Sequence, residues 1–262
     1  MSNKFIDAFS FVSDRWSDLI QEKVIEHLIL SGEAIAVSII IGVPLGCFLG
    51  HIHRFSFLAI NTSNVARALP TVAVLAILLP YTGLGDTTAI IALVVLAAPP
   101  ILTNSYVAVD QVDVDTVDAA RGIGLTPWQV LLRVEMPLAL PLVFAGIRTS
   151  AVFVVATATL KGFFGGGGLG DIISNLPSYG QTGVIGGSYV LIVLAIAAQI
   201  VFLGVEYAMT PVGLRRQKSV RKQVKKGGSL PGAPAAEISQ DESTEEASSE
   251  ASQLEEQGIS TR

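Results

Sequence analysis

Residues 88–109 read TAIIALVVLAAPPILTNSYVAV, a run of 22 residues without a charged side chain. A helix of about 20 mostly apolar residues is long enough to cross the roughly 30 Å hydrocarbon core of a bilayer. Charges are also scarce on both sides of this run, because residues 28–214 hold only 15 of the 39 charged side chains. The run therefore predicts a membrane-spanning helix within an all-α polytopic membrane protein.

Five segments meet this requirement of length and polarity. They lie at about residues 28–50, 66–84, 88–109, from a start between 138 and 147 to about 164, and 184–209. Closed barrels are excluded, since their strands are short and alternate in polarity. We therefore predict a transmembrane domain over residues 28–214 with about five helices.

The two ends of the chain differ from this domain in composition. Residues 1–27 have apolar side chains at roughly helical spacing, which predicts an amphipathic leader along the outer membrane surface, with a mobile leader as the alternative. Residues 215–262 begin with a basic juxtamembrane segment and end in a tail, 227–262, with eight acidic residues against one basic. Such a tail buries too little apolar surface to fold alone, so we expect it to be disordered.

The distribution of Lys and Arg predicts the orientation in the membrane. One face receives Lys4, Arg15 and Lys23, and the other receives ten basic residues. These ten are Arg54, Arg121, Arg133 and seven residues between 215 and 226. The face with ten basic residues and the C-terminus are therefore predicted to be cytoplasmic. Arg67, at the cytoplasmic end of the second span, can extend its guanidinium to the lipid headgroups.

Several functional classes do not fit the composition. A nucleic-acid-binding protein should have a basic stripe, whereas the basic cluster here directly follows an apolar segment. Cys47 is the single cysteine, and the pair His51 and His53 offers too few ligands for a metal site. A membrane enzyme would need a cluster of His, Asp or Glu at one depth, and the three histidines do not provide one. A secondary transporter would be expected to have inverted repeats, and the sequence has no visible repeat. We expect no catalytic residue, no metal and no cofactor.

The connection between the third and fourth spans, residues 110–137, is the longest one on the predicted cytoplasmic face. Its main part, residues 114–137, reads VDTVDAARGIGLTPWQVLLRVEMP. A helix-forming stretch ends at Arg121, a Gly-Ile-Gly interruption follows, and Thr126 and Pro127 are typical of a helix start. We predict two short helices joined by a glycine bend, which together form a folded cytoplasmic lever.

This segment resembles the cytoplasmic loop of the permease subunits of binding-protein-dependent ABC importers. The family pattern is Glu-Ala-Ala, three residues, Gly, nine residues, Ile, one residue, Leu-Pro. The chain has Asp118-Ala119-Ala120, Gly124, Val134 and Met136-Pro137 at the same spacings, with Asp, Val and Met replacing Glu, Ile and Leu. The resemblance runs from about residue 27 to 173. Strings such as NVARALPTVAVLAILLP and ATATLKGFFGGGGLGDII are similar to permeases for glycine betaine, choline, carnitine and related quaternary ammonium osmoprotectants.

The resemblance implies a type I ABC importer permease fold with a cytoplasmic coupling helix, in the plasma (inner) membrane of a prokaryote. ATP would be bound by separate ABC ATPase subunits, and an extracytoplasmic binding protein and a second permease half, identical or paralogous, would complete the transporter. A methionine-type amino-acid permease is the alternative. The predicted ATPase-coupling residues are Asp118, Ala119, Ala120, Arg121, Gly124, Pro127 and Pro137.

The glycine run at residues 165–168 is predicted to be a flexible outer hairpin that contacts the binding protein or gates the pathway. A phosphate-binding loop is not supported, because no Gly-Lys-Ser/Thr follows and no strand precedes. The predicted pathway or outer-gate residues are Tyr81, Tyr106, Gly167, Gly168 and Asp171.

Ionisable side chains within the spans are the remaining functional candidates, because each costs about 2.5 to 3.5 kcal/mol at mid-span. They are Glu33, Arg148, Lys161 and Glu206. Snorkelling accounts for Lys161 and Glu206, and a structural role is favoured for Arg148, whose depth depends on where the fourth span begins.

Overall fold

The computed structural model describes residues 3–53, 57, 61, 63–65 and 68–209. Arg54, Arg67, the basic segment 215–226 and the acidic tail 227–262 lie outside the described residues. The predictions made for them, including the cytoplasmic C-terminus and the disordered tail, stay predictions.

The described part of the chain is almost entirely helical and contains no strand. The helices are α1 (Asn3–Asp14), α2 (Gln21–His51), α3 (Thr71–Thr82), α4 (Asp86–Asp110), α5 (Val114–Gly122), α6 (Pro127–Val130), α7 (Met136–Thr157), α8 (Gly168–Ser174) and α9 (Leu176–Met209). Two π-helical segments, Trp16–Ile20 and Leu131–Glu135, lead directly into α2 and α7, and a 3-10 helix, Ala158–Phe163, follows α7.

Four helical stretches of the described residues are long and apolar enough to span a membrane: Trp16–His51, Asp86–Asp110, Pro127–Phe163 and Leu176–Met209. The prediction of five full spans is therefore not met within these residues. The segment expected at 66–84 contains α3, whose 12 residues extend for about 18 Å, well short of the hydrocarbon thickness. Its N-cap is Pro70 and its C-cap is Gly83, at a φ of 77°, so both ends carry residues that stop a helix.

The first span begins earlier than its composition indicates. The helix continues from Trp16 to His51 across the predicted boundary at residue 27. The preceding helix α1 packs against α9, where glycines leave room for it: a Cβ atom at Gly186 would lie 3.1 Å from Val12 Cγ2. One face of the leader therefore contacts protein, and its predicted place along the outer membrane surface stays a prediction.

The centre of the fold is the contact between α2 and α4. Gly42, Gly46 and Gly50 follow one another at every fourth position of α2 and are buried. A Cβ atom at Gly46 would lie 2.7 Å from Ser105 Cβ, and one at Gly50 would lie 2.6 Å from the carbonyl oxygen of Tyr106. The two backbones therefore lie too close together for any side chain at these positions, as is common between membrane helices.

Arg148 lies well inside the helix that runs from Pro127 to Phe163. Its guanidinium Nη1 is 3.2 Å from Glu206 Oε2 on α9, and both side chains are mostly buried. The ion pair joins two spans and keeps each charge away from lipid. This contact supports the structural role favoured for Arg148.

We expect Arg148→Met to lower the free energy of unfolding by about 3 kcal/mol, because it removes the guanidinium from a mostly buried carboxylate. The double variant Arg148→Met/Glu206→Gln should be more stable than this single variant, since it removes both charges. Unfolding in detergent, followed by circular dichroism, measures both effects. A double variant no more stable than Arg148→Met would contradict the prediction.

Candidate functional site

The connection between α4 and α7 folds as a compact unit, which we call the coupling segment (residues 110–137). Asp113 caps α5, and its carboxylate accepts a hydrogen bond from the backbone N–H of Thr116 at 3.0 Å. After α5, Gly124 has a φ of 90° and donates its backbone N–H to the carbonyl oxygen of Arg121 at 2.9 Å. This φ is open to glycine and strained for other residues. The bend thus lies within the Gly-Ile-Gly interruption.

The second helix of the coupling segment begins where the sequence predicts but does not stop. The backbone N–H of Thr126 donates to the side-chain oxygen of Gln129 at 3.0 Å, and Pro127 occupies the first turn. The helix then continues through Leu131–Glu135 into α7. The prediction of a separate second short helix is therefore wrong.

Pro137 lies inside this continuous helix, in the first turn of α7. The π-helical segment Leu131–Glu135 directly precedes it, and the N–H of Met136 donates to the carbonyl oxygen of Leu131. The helix tolerates the proline next to this wider turn, although proline has no N–H to donate.

The coupling segment has a small core of its own. Val117, Ala120 and Val130 are buried together. Ala120 therefore faces inward, and of the two adjacent alanines only Ala119 is exposed. The predicted ATPase-coupling role of the two alanines stays a prediction.

The outer side of the coupling segment exposes apolar side chains beside charged ones. Ile123 is 81% exposed and Trp128 is 60% exposed. Arg121 Nη1 lies 3.6 Å from Asp118 Oδ1, and both side chains are exposed. Large apolar side chains grouped with charges on a folded surface are typical of protein interaction sites.

Two side-chain contacts join the coupling segment and α4 to the end of α2. Neither contact was predicted from the sequence. His51 Nδ1 lies 2.6 Å from Glu135 Oε2, and this carboxylate-bearing side chain is only 1% exposed. His53 Nδ1 lies 2.9 Å from Asp110 Oδ1, to which the hydroxyl of Tyr106 donates at 3.3 Å. The acidic Glu135 among the apolar neighbours Val134 and Met136 was the available signal.

Tyr106 does not line an open path in this structure. It is 3% exposed and lies in the contact between α2 and α4, beside Gly46 and Gly50. Its assignment to the pathway is therefore not supported by its place in the fold. Tyr81, at the end of α3, is 85% exposed.

The glycine turn, residues 165–168, is held by side chains from α2. All four glycines have positive φ, between 59° and 133°. The Glu26 carboxylate accepts the backbone N–H of Gly168 at 2.7 Å and lies 3.2 Å from Lys23 Nζ. Lys23 in turn lies 3.5 Å from Asp171 Oδ2. The structure thus brings Gly168 and Asp171 together and adds Lys23 and Glu26, which the sequence analysis missed.

Two further contacts surround the glycine turn. His27 Nε2 lies 2.8 Å from the carbonyl oxygen of Val155, and His27 is fully buried. Lys161 forms an ion pair with Asp86, and a Cβ atom at Gly167 would lie 2.7 Å from its Nζ atom. Lys161 is thus held by a carboxylate at the start of α4, whereas Glu33 is exposed on α2.

Among the described residues, no group of three His, Cys, Asp or Glu side chains is placed to hold a metal ion.

The chain is similar in sequence to known membrane components of transport systems. Residues 42–209 match the family described as binding-protein-dependent transport system inner membrane component. The chain is 39% identical to the glycine betaine/carnitine/choline transport system permease protein OpuCB of Bacillus subtilis (strain 168), over 74% of this chain and 90% of the relative. It is 37% identical to the choline transport system permease protein OpuBB of the same organism, over 76% and 92%. The osmoprotectant import permease protein OsmW of Salmonella typhimurium is 31% identical, over 72% and 91%.

Solved structures with a similar fold come from ABC transporters. An inward-facing structure of the MetNI methionine ABC transporter matches with a TM-score of 0.66 and 25% identity, over 74% of this chain and 97% of that one. An amino acid ABC transporter with histidines matches with a TM-score of 0.59 and 19% identity, over 76% and 97%. The second likeness concerns the fold alone.

Proposed function

This chain belongs to the family of binding-protein-dependent transport system inner membrane components, and from that premise we propose that it is the permease of an ATP-driven importer of quaternary ammonium osmoprotectants. Glycine betaine, choline, carnitine and proline betaine are the proposed solutes. The observation that carries the proposal is its 37–39% identity to permeases named for the first three of these solutes. The chain is a multi-pass inner-membrane protein with a type I ABC importer permease fold.

The coupling segment is the proposed contact for the ABC ATPase subunits. It has its own core and an exposed apolar surface at Ile123 and Trp128. Its second helix is continuous with the membrane-spanning α7, so a force on this surface moves a span directly. Asp118, Ala119 and Arg121 are proposed to touch the ATPase, while Gly124 and Pro127 set the shape of the surface. Ala120 and Pro137 act from inside the segment.

A second permease half and an extracytoplasmic binding protein complete the proposed transporter. The four long apolar helices of the described residues enclose too little space for a gated path, so two halves are proposed. The C-terminus is proposed to be cytoplasmic, with the glycine turn facing the binding protein or gating the path at the outer side. ATP is bound by the ATPase subunits, and this subunit performs no chemistry.

An amino-acid permease of the methionine type is the second candidate. Its support is the fold likeness to the MetNI transporter at 25% identity. The osmoprotectant permeases named above are more similar in sequence, at 31–39%, so we favour their solute class.

Reconstitution tests the proposed function. The complete transporter, with its cognate ATPase and binding protein, is placed in liposomes, and uptake of labelled glycine betaine, choline, carnitine and methionine is measured with ATP and with a non-hydrolysable analogue. We expect ATP-dependent accumulation of at least one quaternary ammonium solute and none of methionine. Methionine uptake would favour the second candidate. Accumulation that does not require ATP hydrolysis would contradict both.

A further inference from the structure

We propose that the helix Trp16–His51 is a strut that links the coupling segment at one membrane face to the glycine turn at the other. The inner joint is the contact of His51 with Glu135, and the outer joint is the contact of Glu26 with the backbone N–H of Gly168. This inference rests on the proposed function, in which the ATPase moves the coupling segment. It assigns positioning roles to side chains that touch neither nucleotide nor solute.

The inner joint resists separation because Glu135 is buried. Its side chain is 1% exposed, and the carboxylate lies 2.6 Å from His51 Nδ1, whose side chain is 11% exposed. A buried carboxylate without a partner is strongly unfavourable. Breaking this contact would leave the buried Glu135 carboxylate unpaired. When the π-helical segment Leu131–Glu135 moves, the end of the strut is therefore expected to move with it.

The outer joint joins the same helix to the glycine turn. The Glu26 carboxylate accepts the Gly168 N–H at 2.7 Å, and one turn earlier Lys23 lies 3.5 Å from Asp171 Oδ2. The next residue, His27, is buried with its Nε2 atom 2.8 Å from the Val155 carbonyl oxygen. A shift of the strut along its axis would therefore pull on the glycine turn.

The helix between the joints is suited to transmit such a shift. Residues 26 and 51 are separated by about 37 Å along a continuous helix, and Pro44 lies inside it without interrupting it. The glycines at 42, 46 and 50 hold the strut tightly against α4. Coupling over such distances is carried by packed rigid elements that have two discrete arrangements.

The test measures exposure at the outer joint while the inner joint is changed. Leu169 is fully buried beside Gly168, so Leu169→Cys, combined with Cys47→Ser, places a reporter thiol there. In the complete complex with its ATPase and binding protein, the labelling rate by a membrane-impermeant maleimide is measured. We expect Glu26→Ala, which removes the oxygen that accepts the Gly168 N–H, to raise this rate about fivefold or more. Glu135→Ala, at the other membrane face, should raise it to a similar extent.

Matched variants separate the strut from a general loss of structure. Glu22→Ala removes an exposed carboxylate one turn before Glu26 and should label like the parent. His51→Ala should label like Glu135→Ala, whereas His51→Asn, which keeps a donor for Glu135, should label like the parent. Size-exclusion profiles and ATPase association of each variant confirm that the complex is intact. If Glu135→Ala does not assemble, the two His51 variants decide the outcome.

Either of two results would overturn the strut. One is a parent-like rate in the inner-joint variants although Glu26→Ala labels faster, and the other is a parent-like rate for Glu26→Ala itself. Labelling requires no transport, so both outcomes are independent of the proposed function. That proposal fails separately, when the parent complex does not accumulate solute with ATP.

Discussion

Gly124→Pro is expected to insert into the membrane normally and to reduce ATP-driven solute uptake by about tenfold or more. Gly124 has a φ of 90° and donates its N–H to the carbonyl oxygen of Arg121. Proline fixes φ near −65° and has no N–H, so it cannot adopt this bend. The surface before the bend, with Ile123, and the surface after it, with Trp128, would then no longer form one face for the proposed ATPase contact.

Gly122→Ala is the matched control for this prediction. Gly122 ends α5, and a Cβ atom there would meet nothing within 4 Å, so uptake should stay at the parent level. Uptake and ATP hydrolysis are measured together in liposomes, and we expect hydrolysis by the proline variant to continue without accumulation. Unimpaired accumulation by that variant would count against the coupling role of the bend.

Gly46→Leu is expected to cost about 3 kcal/mol or more of folding stability, which places it at the upper end of overpacking effects. Even the first carbon of the new side chain would lie 2.7 Å from Ser105 Cβ and 3.1 Å from the backbone N of Tyr106. Backbone atoms cannot move aside as a flexible side chain does, so α2 and α4 would have to separate. We expect a lower melting temperature in detergent and a larger aggregated fraction.

Gly32→Leu is the control on the same helix. A Cβ atom at Gly32 would meet nothing within 4 Å, and the position is exposed. The added apolar side chain should therefore leave the melting temperature near that of the parent. Equal losses from the two substitutions would show that the α2–α4 contact tolerates a side chain, contrary to the geometry.

Local signals in the sequence predicted their parts of the structure correctly. The charge-free run at residues 88–109 predicted the span that the structure has as Asp86–Asp110, because hydropathy depends only on neighbouring residues. Thr126 and Pro127 likewise marked a true helix start, since capping acts within one turn. The extent of the second helix of the coupling segment was missed, because Pro137 indicates a break unless the preceding turn widens.

Composition and spacing alone were sufficient to determine the membrane class, the long spans, the glycine bend and the resemblance to importer permeases. Only the tertiary structure decided that Ala120 faces inward, that Glu135 meets His51 and that Glu26 holds Gly168. These last two pairs are 84 and 142 residues apart in the chain. The rotation and register of each helix determine which distant side chains meet. Close packing of whole helices, as at Gly46 against α4, sets that register, and no single stretch of sequence encodes it.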